Sequence, residues 1–539
     1  MPYIPAVNAS CRFHGKKEYV KYSSLPCFYV DYMNESGHFT IKEILFFRDQ
    51  DPDHNALECP GFHPLTYRDL RLQIRYVIKA LSTMGFHRND RIAIITPSGP
   101  ETAVIIISVM AGFTSVPLNP HARTQEYHRY FSQIKIQAII VQKGFDTAAL
   151  EVAELWGIPV IELIPVAGYA GKFSLQPAVV PDAKEVEFAS PSDIAILLLS
   201  SGTSGTQKIV PVTQKQFLLS KQKQADAFKI TNADRSLHLL PYYHAMGLST
   251  PLLCTWLAGG TVICTKDFIP ADFLTLLKTF RPTFYAAGPA LHQAILREIK
   301  KVPREELKDN SLQKIQSATA PLSYAINQEL GGLLGIPVTE TYGLTEAGMI
   351  TINMPPRDGS VGIPIIESLT IRDENGNILG NGETGEIVVK GETVFSGYEE
   401  DPDGNKSAFI HGWFRTGDMG YLDRDRYLFL TGRTKELINK GGEKISPEEI
   451  DAVLESYPGV LDAMTFGIAD PVLGEDVAAM VVPANAQVTE PELRRYLLDR
   501  MIQFKVPSRI FFVDEIPKTP TGKPVRDAGT QRYSKKIPK

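Results

Sequence analysis

Short β-branched runs alternating with helix-patterned segments constrain this chain more than any other feature. Residues 91–96 (RIAIIT) and 138–141 (AIIV) are apolar runs of strand length, and residues 67–84 carry apolar side chains at helical spacing. The alternation predicts βαβ units and a parallel sheet, because parallel strands need a long crossover and the helix supplies it. The most apolar stretch, residues 103–118 (AVIIISVMAGFTSVPL), is shorter than the ~20 residues of a membrane span. Gly112, Thr114, Ser115 and Pro117 also interrupt it. A buried helix followed by a core strand is expected there.

Texture changes twice along the 539 residues, a length that already calls for more than one core. Between residues 359 and 431 short strands (SLTIRD, GEIVVKG, YLFLTG) are punctuated by Gly, Asp and Asn turns, as in a small β-barrel or meander. After Gly432 amphipathic helices return at residues 447–455 and 490–501, with two or three strands between them. A domain boundary is expected near Lys435. This gives an N-terminal domain over residues 1–434, with a β-barrel subdomain at about 355–431, and a C-terminal domain over 435–539.

Composition excludes several functions. A net charge of −5 lacks the basic footprint of a nucleic-acid binder. Five cysteines (Cys11, Cys27, Cys59, Cys254, Cys264), odd in number and never spaced CxxC, read as reduced structural thiols. Residues 1–17 contain no apolar secretory core, and residues 537–539 are not a peroxisomal SKL-type address, so a cytoplasmic location is expected. The mildly basic last forty residues read as a solvated face.

Chemistry begins at residues 200–208, SSGTSGTQK. Two glycines, several hydroxyl residues and a lysine can present N–H groups, hydroxyls and a point charge to phosphate oxygens. The apolar run 194–199 supplies a strand to anchor the loop. It is not a Walker A loop, because G-x-x-x-x-G-K-[ST] is not met. Alone, a flexible Gly/Ser/Thr turn explains it better; its companions decide. They follow in order: LLPYYHAMGL (239–248), ATAPLS (318–323), ETYGLTEAG (340–348), GETGEIVVKG (382–391), GWFRTGDMGYLD (412–423), GRTKELINKGGEKISPEEI (432–450) and PKTPTGKPVR (517–526).

With these segments in this order, residues 65–526 resemble the adenylate-forming superfamily of acyl-CoA synthetases, peptide-synthetase adenylation domains and luciferases. RPTFYAAGPALHQAI and GRTKELINKGGEKISP are most similar to the small-acid branch that includes oxalyl-CoA synthetases. The resemblance implies an α/β fold: a large N-terminal domain of stacked, mostly parallel sheets with helices and the small β-barrel subdomain, then a small, mobile α+β C-terminal domain. It implies an ATP-dependent carboxylic acid–thiol ligase that forms an acyl adenylate, releases pyrophosphate and makes a thioester of coenzyme A. The other acceptor it allows is the phosphopantetheine of a carrier protein. An oxygenase or a silent nucleotide-binding paralogue is a remote outcome of the same fold.

Site roles follow from the resemblance and agree with what activation needs: ATP with its α-phosphate exposed, a carboxylate in line, and neutralised charge. Ser201, Gly202, Thr203, Ser204, Gly205, Thr206 and Lys208 would cradle the β- and γ-phosphates. Thr345 would donate to the α-phosphate, and Glu346 would be the hard oxygen ligand of Mg²⁺. Asp418 would accept both ribose hydroxyls, with Arg433 donating from the far side. Tyr342 would stack on adenine, opposite the backbone of Ala318, Thr319 and Ala320, and Glu340 would accept from the exocyclic amine. Lys523 would bridge the acid's carboxylate and the α-phosphate, and His244 would gate or hydrogen-bond the acyl carboxylate. Lys435 would be the hinge of a domain rotation. Gly441 and Gly442 would line the pantetheine tunnel, where missing side chains leave a narrow channel.

Gln207, Ile209 and Glu367 depart from the usual Pro, Gly and Gly of the family, but every donor stays in place. The expected acid pocket comprises Tyr243, Ala245, Met246, Ala287, Gly288, Ser317, Gly343, Gly348 and Met349. These are small or apolar, with no cation for a second carboxylate and no acid for an α-amino group. A neutral acyl or aryl acid is therefore expected. Oxalate is disfavoured because Gly348 replaces a polar residue after TEA.

Overall fold

The computed structural model describes residues 40–42, 51–177, 187–200, 208–266, 268–434, 436–441, 443–470, 472–519 and 522–533. Two large sheets form the N-terminal part. The first has seven strands, and its five central ones run parallel: Val160–Pro165, Ala138–Gln142, Arg91–Ile95, Thr114–Pro117 and Ile194–Leu199. Phe173–Gln176 and Ile209–Thr213 close its edges antiparallel. The second has nine strands, with a parallel centre of Val338–Leu344, Lys314–Ser317, Phe284–Ala287, Arg235–His238, Thr261–Cys264 and Asn55–Glu58.

Helix Pro100–Met110 is buried at every position, as its apolar run Ala103–Ile107 requires, and it takes Glu101, Thr102 and Ser108 inside with it. It joins helix Tyr67–Thr83 in a core that takes Ile92, Ile94, Ile140 and Ile196 from the first sheet and Val262 and Cys264 from the second. Strand Thr114–Pro117 follows the helix, as the apolar stretch predicts.

Residues 368–433 form a five-stranded antiparallel sheet of Ser368–Arg372, Gly385–Lys390, Trp413–Leu422, Phe409–Ile410 and Leu428–Arg433. It does not close into the expected barrel. Ser368–Arg372 pairs with Gly385–Lys390 at one end, and Leu428–Arg433 with Trp413–Leu422 at the other. The apolar face, with Ile366, Leu369, Ile371, Ile387 and Val389, is covered by Val210, Tyr342, Ala347 and Ile350 of the large sheets. A face covered from outside has no need to curl over itself.

Beyond residue 436 a further sheet comprises Ile438–Lys440, Glu443–Ile445, Val460–Asp470, Gly474–Pro483 and Arg509–Phe512. Helices Pro447–Glu455 and Glu490–Leu498 pack on one face, and Arg526–Tyr533 supplies Tyr533 to the other. Among the described residues no helix is long and apolar enough to cross a membrane.

Candidate active site

Parallel α/β sheets offer ligands the crevice beyond the carboxyl ends of their strands. The motifs lie there. Strand Ile194–Leu199 runs into the phosphate-type loop, Arg235–His238 into His244, Phe284–Ala287 into Gly288, Lys314–Ser317 into residues 318–320, and Val338–Leu344 into Thr345 and Glu346.

The ends of the loop are pinned together: Ser200 N donates to Lys208 O at 2.9 Å, and Lys208 N to Ser200 Oγ at 3.1 Å. Ser201, Gly202, Thr203, Ser204, Gly205, Thr206 and Gln207 lie outside the described residues. Lys208 Nζ pairs with Asp401 at 3.1 Å and stands 4.2 Å from the centroid of the Tyr398 ring. Tyr398 Oη in turn donates to Glu346 Oε1 at 2.9 Å. Glu346 and half-buried Thr345 share the turn after strand Val338–Leu344. Burial raises the Glu346 pKa, while Tyr398, Arg433 and Lys523 pull it the other way. Among the described residues no three His, Cys, Asp or Glu side chains could hold a metal by themselves. A lone buried carboxylate fits Mg²⁺, which binds mainly through phosphate oxygens and water.

Asp418 and Arg433 face each other across neighbouring antiparallel strands. Arg433 Nε donates to Asp418 Oδ1, and Tyr342 Oη to Asp418 Oδ2, each at 2.6 Å. The carboxylate is only 6% exposed and already engaged at both oxygens, so a ribose must share or displace these donors. Glu340 accepts from Asn327 Nδ2 at 3.0 Å, and burial pushes its pKa up to about 7.

Lys523 sits on a tight hairpin. Thr519 N donates to Lys523 O at 2.8 Å, Gly522 N to Thr519 O at 2.8 Å, and Lys523 N to Thr519 Oγ1 at 3.1 Å. The hairpin docks on the N-terminal part, where a Cβ added to Gly522 would stand 3.5 Å from that of Ala290. Burial, and then the charge of Arg433, lower the Lys523 pKa, against the pull of Asp418, Glu346 and Glu436. His244 feels the same lysine: burial first, then Lys523, push its pKa down to about 4. The imidazole is therefore neutral at pH 7, and its buried Nε2 has no partner among the described residues.

The acid side of the crevice carries further unpartnered atoms, Ser317 Oγ and Gln316 Oε1, and Thr319 Oγ1 is unpartnered in the segment expected behind adenine. Thr319 holds φ +78°, and its hydroxyl lies where a Cβ on Gly288 would be, 2.8 Å away. Neighbouring Ala318 is buried and Ala320 half-buried. Gly343 is required by close approach, since a Cβ would stand 2.4 Å from Gly348 O. Gly348, at φ +69°, leaves space against Ser220 that a Cβ would invade at 2.2 Å.

Tyr243 tilts over His244, and Met246 Sδ lies 3.9 Å from Gln316 Nε2. Ala287 is fully buried at the end of its strand, and half-buried Ala245 packs on the core between the sheets. Met349 packs into an apolar cluster with Phe228, Cys254 and Phe284, so its side chain serves the core behind the pocket wall. Gly441 lies at the exposed tip of the hairpin after Lys440, at φ +60°. Lys435 and Gly442 lie outside the described residues.

Sequence reasoning missed Tyr398, Asp401, Gln316 and Lys221. Tyr398 and Asp401 fall between motifs. Lys221 sits in a KQKQ run that looks like a solvated helix face, yet it is buried.

Comparison with known proteins agrees with this geometry. The chain matches the AMP-binding enzyme family over residues 47–399 and the AMP-binding enzyme C-terminal domain over residues 449–523. It is 34% identical to the oxalate–CoA ligase of Arabidopsis thaliana, over 90% of this chain and 96% of that one. It is 32% identical to the oxalate–CoA ligase of Saccharomyces cerevisiae, over 87% and 93%. The ATP-bound crystal structure of MatB from Rhodopseudomonas palustris matches with a TM-score of 0.84 at 28% identity, over 92% and 99%. The chain belongs to the AMP-binding enzyme family and is an AMP-forming acid–thiol ligase.

Proposed function

We propose that the chain couples a small carboxylic acid to coenzyme A in two half-reactions at one site. A carboxylate oxygen attacks the α-phosphorus of ATP, the bond to the β-phosphate oxygen breaks and pyrophosphate leaves. The thiol then attacks the acyl carbon and AMP departs. Asp418 and Arg433 orient the ribose, with Tyr342 beside the base. Lys208 leaves Asp401 for the phosphates when ATP binds. Glu346 would hold Mg²⁺, which supplies charge neutralisation at the phosphates. His244, kept neutral, hydrogen-bonds the acid's carboxylate and orients it in line.

The observation that carries this reading is Lys523, half-buried where its hairpin meets Ala290 and within electrostatic reach of Glu346, Asp418, Arg433 and His244, although it comes from beyond residue 435. A cation placed there offsets charge building on the α-phosphate and carboxylate. The part of the chain after Lys435 then closes for adenylation and turns away, so that Gly441 and Gly442 meet the pantetheine arm.

A panel of acids read by pyrophosphate release, with coenzyme A and with a phosphopantetheinylated carrier protein as acceptors, tests the proposal. Acid-dependent pyrophosphate release and a coenzyme A thioester are expected. Thioester on the carrier alone would reassign the acceptor, and no release with any acid would overturn the reading.

A further inference from the structure

Lys221 is a buried charge with no carboxylate partner among the described residues. It lies on helix Gln214–Ala227, is 5% exposed, and donates to one group, Ser249 Oγ at 3.0 Å. Its other neighbours are the Phe217 ring at 5.0 Å and Cys254, a neutral thiol whose pKa burial raises to about 12. Burial lowers the lysine's own pKa to about 8, which leaves it charged at neutral pH. Burying an unpaired ammonium is costly, and a methionine of similar length would pack there without that cost. Such a group is a candidate for ligand binding.

Its place in the fold says which ligand. Ser249 N donates to the carbonyl of Met246, a pocket residue, at 3.1 Å, and Ser249 Oγ also donates to Gln224 Oε1. Gln224 Nε2 reaches Ser220 Oγ at 3.3 Å, and Ser220 faces the space left by Gly348. The ammonium is thus linked through Ser249 and Gln224 to the Met246–Gly348 wall of the acid pocket. Ser249 opens a π-helical turn, Ser249–Cys254, an uncommon geometry often met at functional sites. Ser317 Oγ, next to Gln316 whose Nε2 lies 3.9 Å from Met246 Sδ, is buried and without a partner among the described residues, and a hydroxyl can donate to an anion.

We propose that Lys221, held by Ser249 behind the Met246–Gly348 wall, receives a distal anionic group of the acid, carboxylate or sulfonate, while the other carboxylate is activated. This rests on the ligase reading above and replaces the expectation of a neutral tail. Lys221 is a specificity-determining residue; it touches none of the reacting atoms.

The test compares matched acids of equal length that end in a carboxylate, a sulfonate or a neutral group, with kcat/KM read by pyrophosphate release. The wild-type enzyme is expected to favour an anionic member by roughly 30- to 100-fold, the scale of a charge-assisted hydrogen bond. Which anion wins identifies the terminal group. Lys221→Met should collapse that ratio towards one through loss of rate on the anionic acid. Lys221→Gln, which keeps a donor to Ser249, should do the same if the methionine variant folds poorly. A wild-type enzyme that uses the neutral acid equally well would overturn the proposal. Equal losses on both acids in the variants would also overturn it. No pyrophosphate release with any acid would instead bring down the ligase reading beneath it.

Discussion

The two sides of the crevice are built in opposite ways. On the nucleotide side the charged groups are engaged: Asp418 by Tyr342 and Arg433, Glu346 by Tyr398, and Lys208 by Asp401. On the acid side His244 Nε2, Ser317 Oγ and Gln316 Oε1 are buried and unpartnered among the described residues. Engaged groups hold a geometry before the ligand arrives, and the ligand exchanges one set of hydrogen bonds for another. Unpartnered groups cost stability and are tolerated where a substrate completes them. The nucleotide is common to the chemistry of every acid, so its charged groups are held in place beforehand, and selectivity rests with the incomplete side.

Lys523 stands between the two, and removing it gives the largest expected effect. Lys523→Ala should slow adenylation by roughly 10²–10³-fold, the scale of losing one transition-state donor. Thioester formation from pre-made acyl adenylate should persist. Equal loss of both half-reactions would break the assignment. Asp418→Ala should lower kcat/KM for ATP by roughly 30- to 100-fold and stability by about 2–3 kcal/mol, because Arg433 and Tyr342 lose their shared acceptor. Thermal unfolding and ATP titration would check both, and an unchanged melting temperature would show that the engaged side is not pre-set.

Tyr398→Phe removes one donor to Glu346. A rise of roughly threefold to tenfold in the Mg²⁺ concentration for half-maximal rate is expected, about 1 kcal/mol. Ser317→Ala should be the mildest. With no partner to lose and an unsatisfied buried hydroxyl removed, stability should hold or rise by up to about 1 kcal/mol while the KM for the acid moves. A clear loss of stability would mean that Ser317 is already satisfied, and the contrast between the two sides would fail there.

Much of this was legible in the sequence, for identifiable reasons. Helix Pro447–Glu455 falls on the expected residues because its cap region, Pro and apolar period agree. Strands Arg91–Ile95, Ala138–Gln142 and Ile194–Leu199 of the first sheet were readable as continuous apolar runs, since both faces are buried, whereas second-sheet strands such as Arg235–His238 and Lys314–Ser317 are short and carry no such run. The barrel was not, because closure depends on what covers the sheet, and Val210 and Tyr342 come from distant segments. Lys221 went unnoticed for a related reason. Polar spacing such as KQKQ reports an exposed face only if nothing packs on it, and the π-helical turn at Ser249 packs there. Pairings such as Tyr398 with Glu346 join residues whose motifs carry no mutual signal.

One isotope experiment reaches the central claim, that a carboxylate oxygen attacks the α-phosphorus of ATP in this crevice. The acid is supplied with both carboxylate oxygens as oxygen-18, turned over with ATP and coenzyme A, and the products are weighed by mass spectrometry. The account predicts one labelled oxygen in AMP, none in pyrophosphate, and one retained in the thioester. Label in inorganic phosphate with ADP as co-product, or AMP without label, would contradict it.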